Sequence, residues 1–437
     1  MGPHLVYSLF AVVYFFKHFV KKLSFFKCCR RLFQSGHFVS KYTMGLKWLF
    51  FHQVRKYLLM LDIRKSHVKY WRPQILLMVA RPRQCCELID FINDIKKGGL
   101  YILGHVKIGH LDDFPDKDPV ADDTPKWMRL VDKLSIKAFV EITMSRSVSE
   151  GLQHLVRSVG LGGMKTNTVC LGFYDNAPPV DSLARRRMRK KGFFGSVETD
   201  QFLDIGENLG GLRDDTKSKH MSLHEYVKLI EDSLKMQKNV LLCRHFNGLN
   251  KEQILASRGK FYIDVWPVNF FRPETASYFD NTCMFLLQLA CILNMVPGWK
   301  SKTNLRVFLF VNAQTENSDI EEQKLGAFLR QLRIIAKIQI VSWDSIPHNI
   351  TMEQMDLSVN YSDSRMQEYN EVTGDFLRAV NRLIVSYSSR TAVSFMYLPR
   401  PPQDKHKQYM AQLEGLSEDL PPTVYVHGLH PVTSTTL

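Results

Sequence analysis

This 437-residue sequence has no apolar run long enough to cross a bilayer, no C-x-x-C pair, and no acidic side chain among its first 61 residues. A membrane-spanning helix needs roughly 20 predominantly apolar residues. The nearest candidate, Leu5 to Phe16, has twelve and ends against Lys17, His18, Phe19, Val20, Lys21 and Lys22. With no basic stretch before it and no small-residue cleavage site after it, the run does not read as a secretory signal either. The chain by itself is therefore not expected to carry ions.

The usual marks of catalysis are also missing. There is no G-x-S-x-G elbow and no Cys–His pair at a family spacing. His220 and His224 stand four apart as a metal pair would, but no H-E-x-x-H surrounds them, so they read as surface helix residues. Gly160-Leu-Gly-Gly163 has the composition of a phosphate loop in the wrong context, because a helix precedes it and a strand follows. A phosphate needs the opposite order, so that helix N-terminal amides meet it. The eight cysteines form two adjacent pairs (28 and 29, 85 and 86) and four single positions (170, 243, 283, 291), which read as reduced thiols of a cytosolic protein. The expectation is a protein that is not an enzyme, with no catalytic residue, no metal and no resident cofactor.

What is present is a basic, aromatic lead. Ten Lys or Arg fall within residues 1–61, so most of the net charge of +15 sits there. Such a segment suits an anionic membrane surface, with Phe15, Phe16, Phe19, Val20, Leu23 and Phe26 in the headgroup boundary. Cys28 and Cys29 beside the basic run are then candidate palmitoylation sites. The rest of the chain is close to neutral, which argues against nucleic acid as a partner.

From Gln74 onward, short apolar runs alternate with amphipathic helical stretches, the pattern of βαβ units. Strands are expected over 74–80, 100–108, 138–143 and 168–174, with helices over 85–97, 126–133 and 148–159, the last closed by Gly160. A second series follows: helices over 223–236, 282–295, 321–333 and 365–385, and strands over 239–246, 262–268, 305–312, 338–343 and 391–398. The fold class is α/β, as two stacked Rossmann-like halves with mostly parallel sheets and helices on both faces. The expected boundaries are 1–47, a connecting helix in 48–73, a first half 74–174, a linker or insertion 175–220 and a second half 221–437. The run Arg185–Lys191 reads as a solvated loop, with Ser182, Ser196 and Thr199 as candidate phosphorylation sites. Asp264, inside an apolar strand, reads either as a pocket carboxylate or as one satisfied by neighbouring backbone amides. Thr435-Thr436-Leu437 fits a loose PDZ-ligand ending.

Several runs, in this order, carry a resemblance: Lys56–Asp62, His67-Val-Lys-Tyr-Trp-Arg-Pro-Gln74, Lys97–Ile102, Gly160–Tyr174, Thr391–Pro399 and Leu420–Thr423. Their wording resembles the cytosolic C-terminal domain of the cation-chloride cotransporters, solute carrier family 12, from about Trp48 to the end, and is closest to the cotransporter-interacting branch. At Pro267-Val-Asn-Phe-Phe-Arg-Pro273 it departs from the sodium-dependent and potassium-chloride branches. The resemblance implies universal-stress-protein-like halves, a homodimer or a heterodimer with cation-chloride cotransporters, regulation of chloride-coupled transport, and a position at the cytosolic face of a plasma membrane or endomembrane. A free fragment would be cytosolic. Residues 1 to about 46 then read either as a membrane-surface segment, contacting through residues 1–31, or as a non-native start. ATP or ADP is the one cofactor left open, as a nucleotide-binding alternative, although the glycine-rich motif of universal stress proteins is not visible.

Overall fold

A computed structural model describes residues 48, 50–61, 71–174, 178–191, 221–273, 278–312, 317–343, 346, 374–430 and 432. The chain divides into two units, residues 1–64 and 65–437. In the first, residues 50–60 are helical, and Phe50, Phe51, Tyr57, Leu59 and Met60 are all exposed.

The second unit runs β1 (Ile75–Met78), α1 (Cys86–Ile95), β2 (Tyr101–Ile108), α2 (Pro119–Leu134), β3 (Phe139–Ser145), α3 (Val148–Ser158), a β4/β5 hairpin (Gly160–Leu161, Met164–Lys165), β6 (Thr168–Gly172), α4 (Ser182–Lys191), α5 (Leu223–Lys235) and β7 (Asn239–Arg244). After α6 (Lys251–Ala256) come β8 (Phe261–Trp266), α7 (Asn281–Met295), α8 (Pro297–Lys302), β9 (Thr303–Val311), α9 (Ser318–Gln331), β10 (Lys337–Ser342), α10 (Gly374–Tyr387), β11 (Thr391–Tyr397), α11 (His406–Leu416) and β12 (Thr423–His427).

All strands but the hairpin form one ten-stranded sheet in the order β10-β9-β8-β11-β12-β7-β6-β1-β2-β3. Read in chain order, β1, β2, β3, β6 and β7 make a 3-2-1-4-5 sheet, and β8 to β12 make another. Pairing is parallel within each repeat and antiparallel where they meet, β12 against β7, with Thr423 opposite Arg244 and His427 opposite Val240. The halves are thus joined edge to edge in a single sheet. Pairing also moves the internal boundary: Asn239–Arg244, expected to open the second half, is the last strand of the first, bonded in register to β6.

Strand alternation sends side chains to two cores, one on each face. Ile75, Leu77, Leu241, Val265, Val307, Phe395 and Val424 pack on one face with α1 and α7. Leu76, Leu242, Trp266, Phe308, Met396 and Tyr425 pack on the other with α3, α5, α10 and α11. Helix α7 lies against both β11 and β12, with Phe285, Leu286, Leu287, Leu289 and Leu293 fully buried, each contributing about 1.5–3 kcal/mol.

Local chemistry explains the other differences from expectation. Helix α2 starts at Pro119 rather than Lys126: Asp118 caps it by accepting from the Val120 amide (2.9 Å), and proline suits the first turn. Pro125 lies inside the helix without ending it, because the Ala121 carbonyl it leaves unpaired is on an exposed residue that water reaches. Of the long helix expected over 365–385, the part before Gly374 lies outside the described residues. Gly160 follows α3 at φ +86°, and a Cβ there would stand 2.2 Å from the Met164 carbonyl, so the glycine turn serves the hairpin.

Since β12 is the strand of the second repeat that pairs with β7, a chain truncated at Pro421 should lose its cooperative unfolding transition, read by circular dichroism during a denaturant titration. Removal of residues 433–437 alone should leave the transition in place.

Candidate functional site

In open α/β sheets, ligands bind outside the carboxyl ends of the strands, where the strand order reverses. Each repeat has one such point, β1/β6 and β8/β11. In the second repeat, Asp280 caps α7 by accepting from the Cys283 amide (2.6 Å), and the Cys283 thiol donates to the Pro267 carbonyl (3.2 Å). Thr282 Oγ1 donates to the Gly428 carbonyl (3.0 Å), and His427 Nδ1 lies 2.8 Å from the Leu398 carbonyl. Burial pushes the Asp280 carboxyl up, against the Cys283 amide and the Tyr397 hydroxyl, which favour its charge. Burial also pulls His427 down to about 4, so it stays neutral near pH 7.

At the first repeat, α4 closes over the start of α1. Arg186 donates to Glu87 Oε2 from Nε (2.8 Å) and Nη2 (2.6 Å), and reaches Asp90 Oδ2 (2.9 Å). Burial opposes the Arg186 charge, but Glu87 and Asp90 outweigh it and raise its pKa. Arg83 pairs with Asp181, Arg185 Nη1 donates to the Asn247 carbonyl (2.6 Å), and Lys251 holds Asp94 (2.5 Å). The run Arg185–Lys191 is therefore helical rather than a loop, and Arg185 and Arg186 at its start are bonded to the body, while the side chains of 187–191 lie outside the described residues. Ser182 is fully buried and donates to the Gln84 carbonyl (3.0 Å), so its hydroxyl is not open to a kinase in this fold. Ser196 and Thr199 lie outside the described residues, as do Cys28, Cys29, His220 and Thr435–Leu437.

Asp264 is neither a pocket carboxylate nor satisfied by backbone amides. The sheet register sets it directly opposite Arg306, whose Nε and Nη2 donate to its two oxygens (2.8 and 2.7 Å), and Thr391 Oγ1 donates to it as well. Burial raises its pKa, against Arg306 and Thr391. The guanidinium lies over Tyr262 (4.3 Å) and Phe308 (4.9 Å) and also donates to the Tyr387 carbonyl (2.9 Å). A lone charge in each of two apolar runs, Ile263-Asp264-Val265 and Leu305-Arg306-Val307, was the available sign of this pair.

The remaining polar cluster joins α5 and α11. His224 is exposed on α5 as expected, and its Nδ1 lies 2.9 Å from Nδ1 of His406 on α11. The rings stack at 4.8 Å, and His406 Nε2 is 3.2 Å from Glu231 Oε1. Nothing in the spacing of His224 and His406 foretells the meeting, since 182 residues separate them.

The profile of solute carrier family 12 matches residues 85–180 and 278–436. Solute carrier family 12 member 9 of Danio rerio is 45% identical over 406 residues, covering 89% of this chain and 43% of that protein. The chain belongs to solute carrier family 12. Vacuolar cation-chloride cotransporter 1 of Saccharomyces cerevisiae is 33% identical, covering 77% of this chain and 31% of that protein. A universal stress protein from Archaeoglobus fulgidus superposes with a TM-score of 0.40 at 12% identity, over 82% of this chain and 97% of that one. This family member thus spans less than half the length of these curated relatives. Among its described residues no helix is long and apolar enough to cross a membrane, and no group of three or more His, Cys, Asp or Glu gathers as a metal site.

Two outcomes follow from these clusters. Arg306→Met should lower stability by about 3–5 kcal/mol in urea titrations, because Asp264 is left buried without its counter-charge. His427 has a folded value below its ordinary 6.5, so between 6.5 and about 4 the unfolded chain takes up a proton that the folded one refuses. Its contribution to stability should fall by about 2 kcal/mol from about pH 7 to about pH 5. His427→Gln, whose amide can still donate to Leu398, should remove that part of the pH slope.

Proposed function

We propose that this chain is a cytosolic regulatory and dimerisation body of a cation-chloride cotransporter-like protein, acting through protein contacts with full-length family members. The observation that carries the reading is the match itself: 89% of the chain aligns with less than half of member 9, and the aligned part here is an α/β body. The described cysteines are all free thiols, which suits a reducing compartment. In the full-length setting the body sits at the cytosolic face of a membrane and biases chloride-coupled cation transport by pairing with a second copy or with a relative. Residues 1–31 add a basic, aromatic contact with an anionic membrane surface, and Ser196 and Thr199 remain the candidate phosphoacceptors beside α4.

The alternative, a nucleotide-binding module, meets an electrostatic obstacle. Four of the five described helices that follow the switch-point strands begin with a carboxylate: Glu87 on α1, Asp181 at the start of α4, Glu225 on α5 and Asp280 at the start of α7. Each places negative charge where a helix N-terminus would otherwise hold phosphate.

Co-expression with a full-length family member should recover the two together after detergent extraction, with the chain dimeric on its own by light scattering. A strictly monomeric chain that leaves every family member behind would overturn the reading. Calorimetry with ATP should give no binding heat at millimolar nucleotide, and deletion of residues 1–31 should abolish sedimentation with anionic liposomes.

A further inference from the structure

We propose that His224 and His406 form a binding site for a divalent transition metal of tetragonal preference, Ni2+ or Cu2+, that bridges the two repeats. Helix α5 precedes the last strand of the first repeat and α11 the last strand of the second, so the pair joins equivalent helices across the antiparallel seam. The inference stands apart from the regulatory reading, because it rests on side-chain geometry alone.

The chemistry runs through tautomers. Glu231 Oε1 lies 3.2 Å from His406 Nε2, out of line for a hydrogen bond, and its charge favours the ring proton on that nitrogen, which leaves the His406 Nδ1 lone pair free. His224 must then donate through its own Nδ1 to make the 2.9 Å contact. His224 is exposed, so its proton can move to Nε2, which leaves two neutral imidazole lone pairs side by side with no net change in protonation. At metal–nitrogen distances of about 2.0–2.1 Å, nitrogens 2.9 Å apart subtend about a right angle at a common ion. That is the angle between neighbouring ligands in tetragonal Ni2+ or Cu2+; tetrahedral Zn2+ would need the rings to part. Water completes the coordination, as His224 is open to solvent. Glu231 stands beside the far nitrogen of His406, 3.2 Å from Nε2, without a hydrogen bond to it. Of the other charged groups on α5, Lys235 lies 3.6 Å from Glu231 Oε2, and Glu225 is held in the cap of the helix by the Ser222 amide.

Ni2+ is the probe of choice, because Cu2+ would oxidise the free thiols. Isothermal titration of the full chain, carrying no polyhistidine tag, should show one equivalent bound. Affinity should be lost in His224→Gln, an exposed change that leaves the fold intact. Hydrogen exchange supplies an independent readout: Ni2+ should slow amide exchange in both α5 and α11 of the wild type and in neither helix of His224→Gln. A wild type that binds no Ni2+ at millimolar concentration, or that binds the same equivalents with the same affinity as His224→Gln, would overturn the assignment.

Discussion

The antiparallel seam between β7 and β12 is the contact on which this architecture depends. Each 3-2-1-4-5 repeat, taken alone, ends on a fifth strand whose outer edge is a row of unpaired amides and carbonyls, an invitation to aggregate. Setting the two fifth strands against each other removes both edges at once. The seam is buried along its whole length, from Thr423 to His427 on one strand and Asn239 to Arg244 on the other. Arg244 reinforces it from the side, donating to Ser417 Oγ (2.7 Å) and the Glu414 carbonyl (2.6 Å) while its guanidinium lies over Phe173 (4.7 Å). The last strand in the sequence is therefore a central strand of the sheet, and neither repeat is complete without the other.

Burial at the centre of that sheet decides what the interior polar groups do. Asp264 and Arg306 face each other across β8 and β9 with every strong hydrogen bond directed inward, a geometry that fixes register more than it adds stability. The switch points, where this class of sheet usually keeps its ligands, are filled by the protein's own groups: Thr282, Cys283 and His427 bond to backbone carbonyls in one, and Ser182 and Arg186 lock α4 over the other. Chemistry inside the body is thereby spent on holding shape.

Much of the fold was legible because its signals are local. Short apolar runs mark nearly every strand, the 3.6-residue period marks α1, amphipathic patterning marks α5, and a strongly apolar stretch marks α7. Two kinds of information were not local. The Thr423–His427 run looks like a tail until its partners are known, since only pairing with β7 and β11 makes it a strand. For the same reason Asn239–Arg244 was placed with the wrong repeat: nothing in its sequence says that its neighbour is β6. Among polar residues, Asp264 announced itself as a charge in an apolar run, but its partner Arg306 and the meeting of His224 with His406 depend on register and on helix packing. In the basic run 185–191, composition alone does not tell a solvated charge from one that, like Arg186, faces Glu87 and Asp90.

The described part of helix α4 is held mainly by polar contacts. It contributes Leu183 to a small cluster with Cys86 and Leu130 and is fastened by the bonds of Ser182, Arg185 and Arg186, with Arg83 paired to Asp181 just before it. Such ion pairs near the surface weaken with salt and with any change in local charge, while apolar burial does not. Segments that open first are those with few buried apolar contacts. Higher salt therefore loosens α4 before it loosens the sheet, whose seam is buried along its whole length.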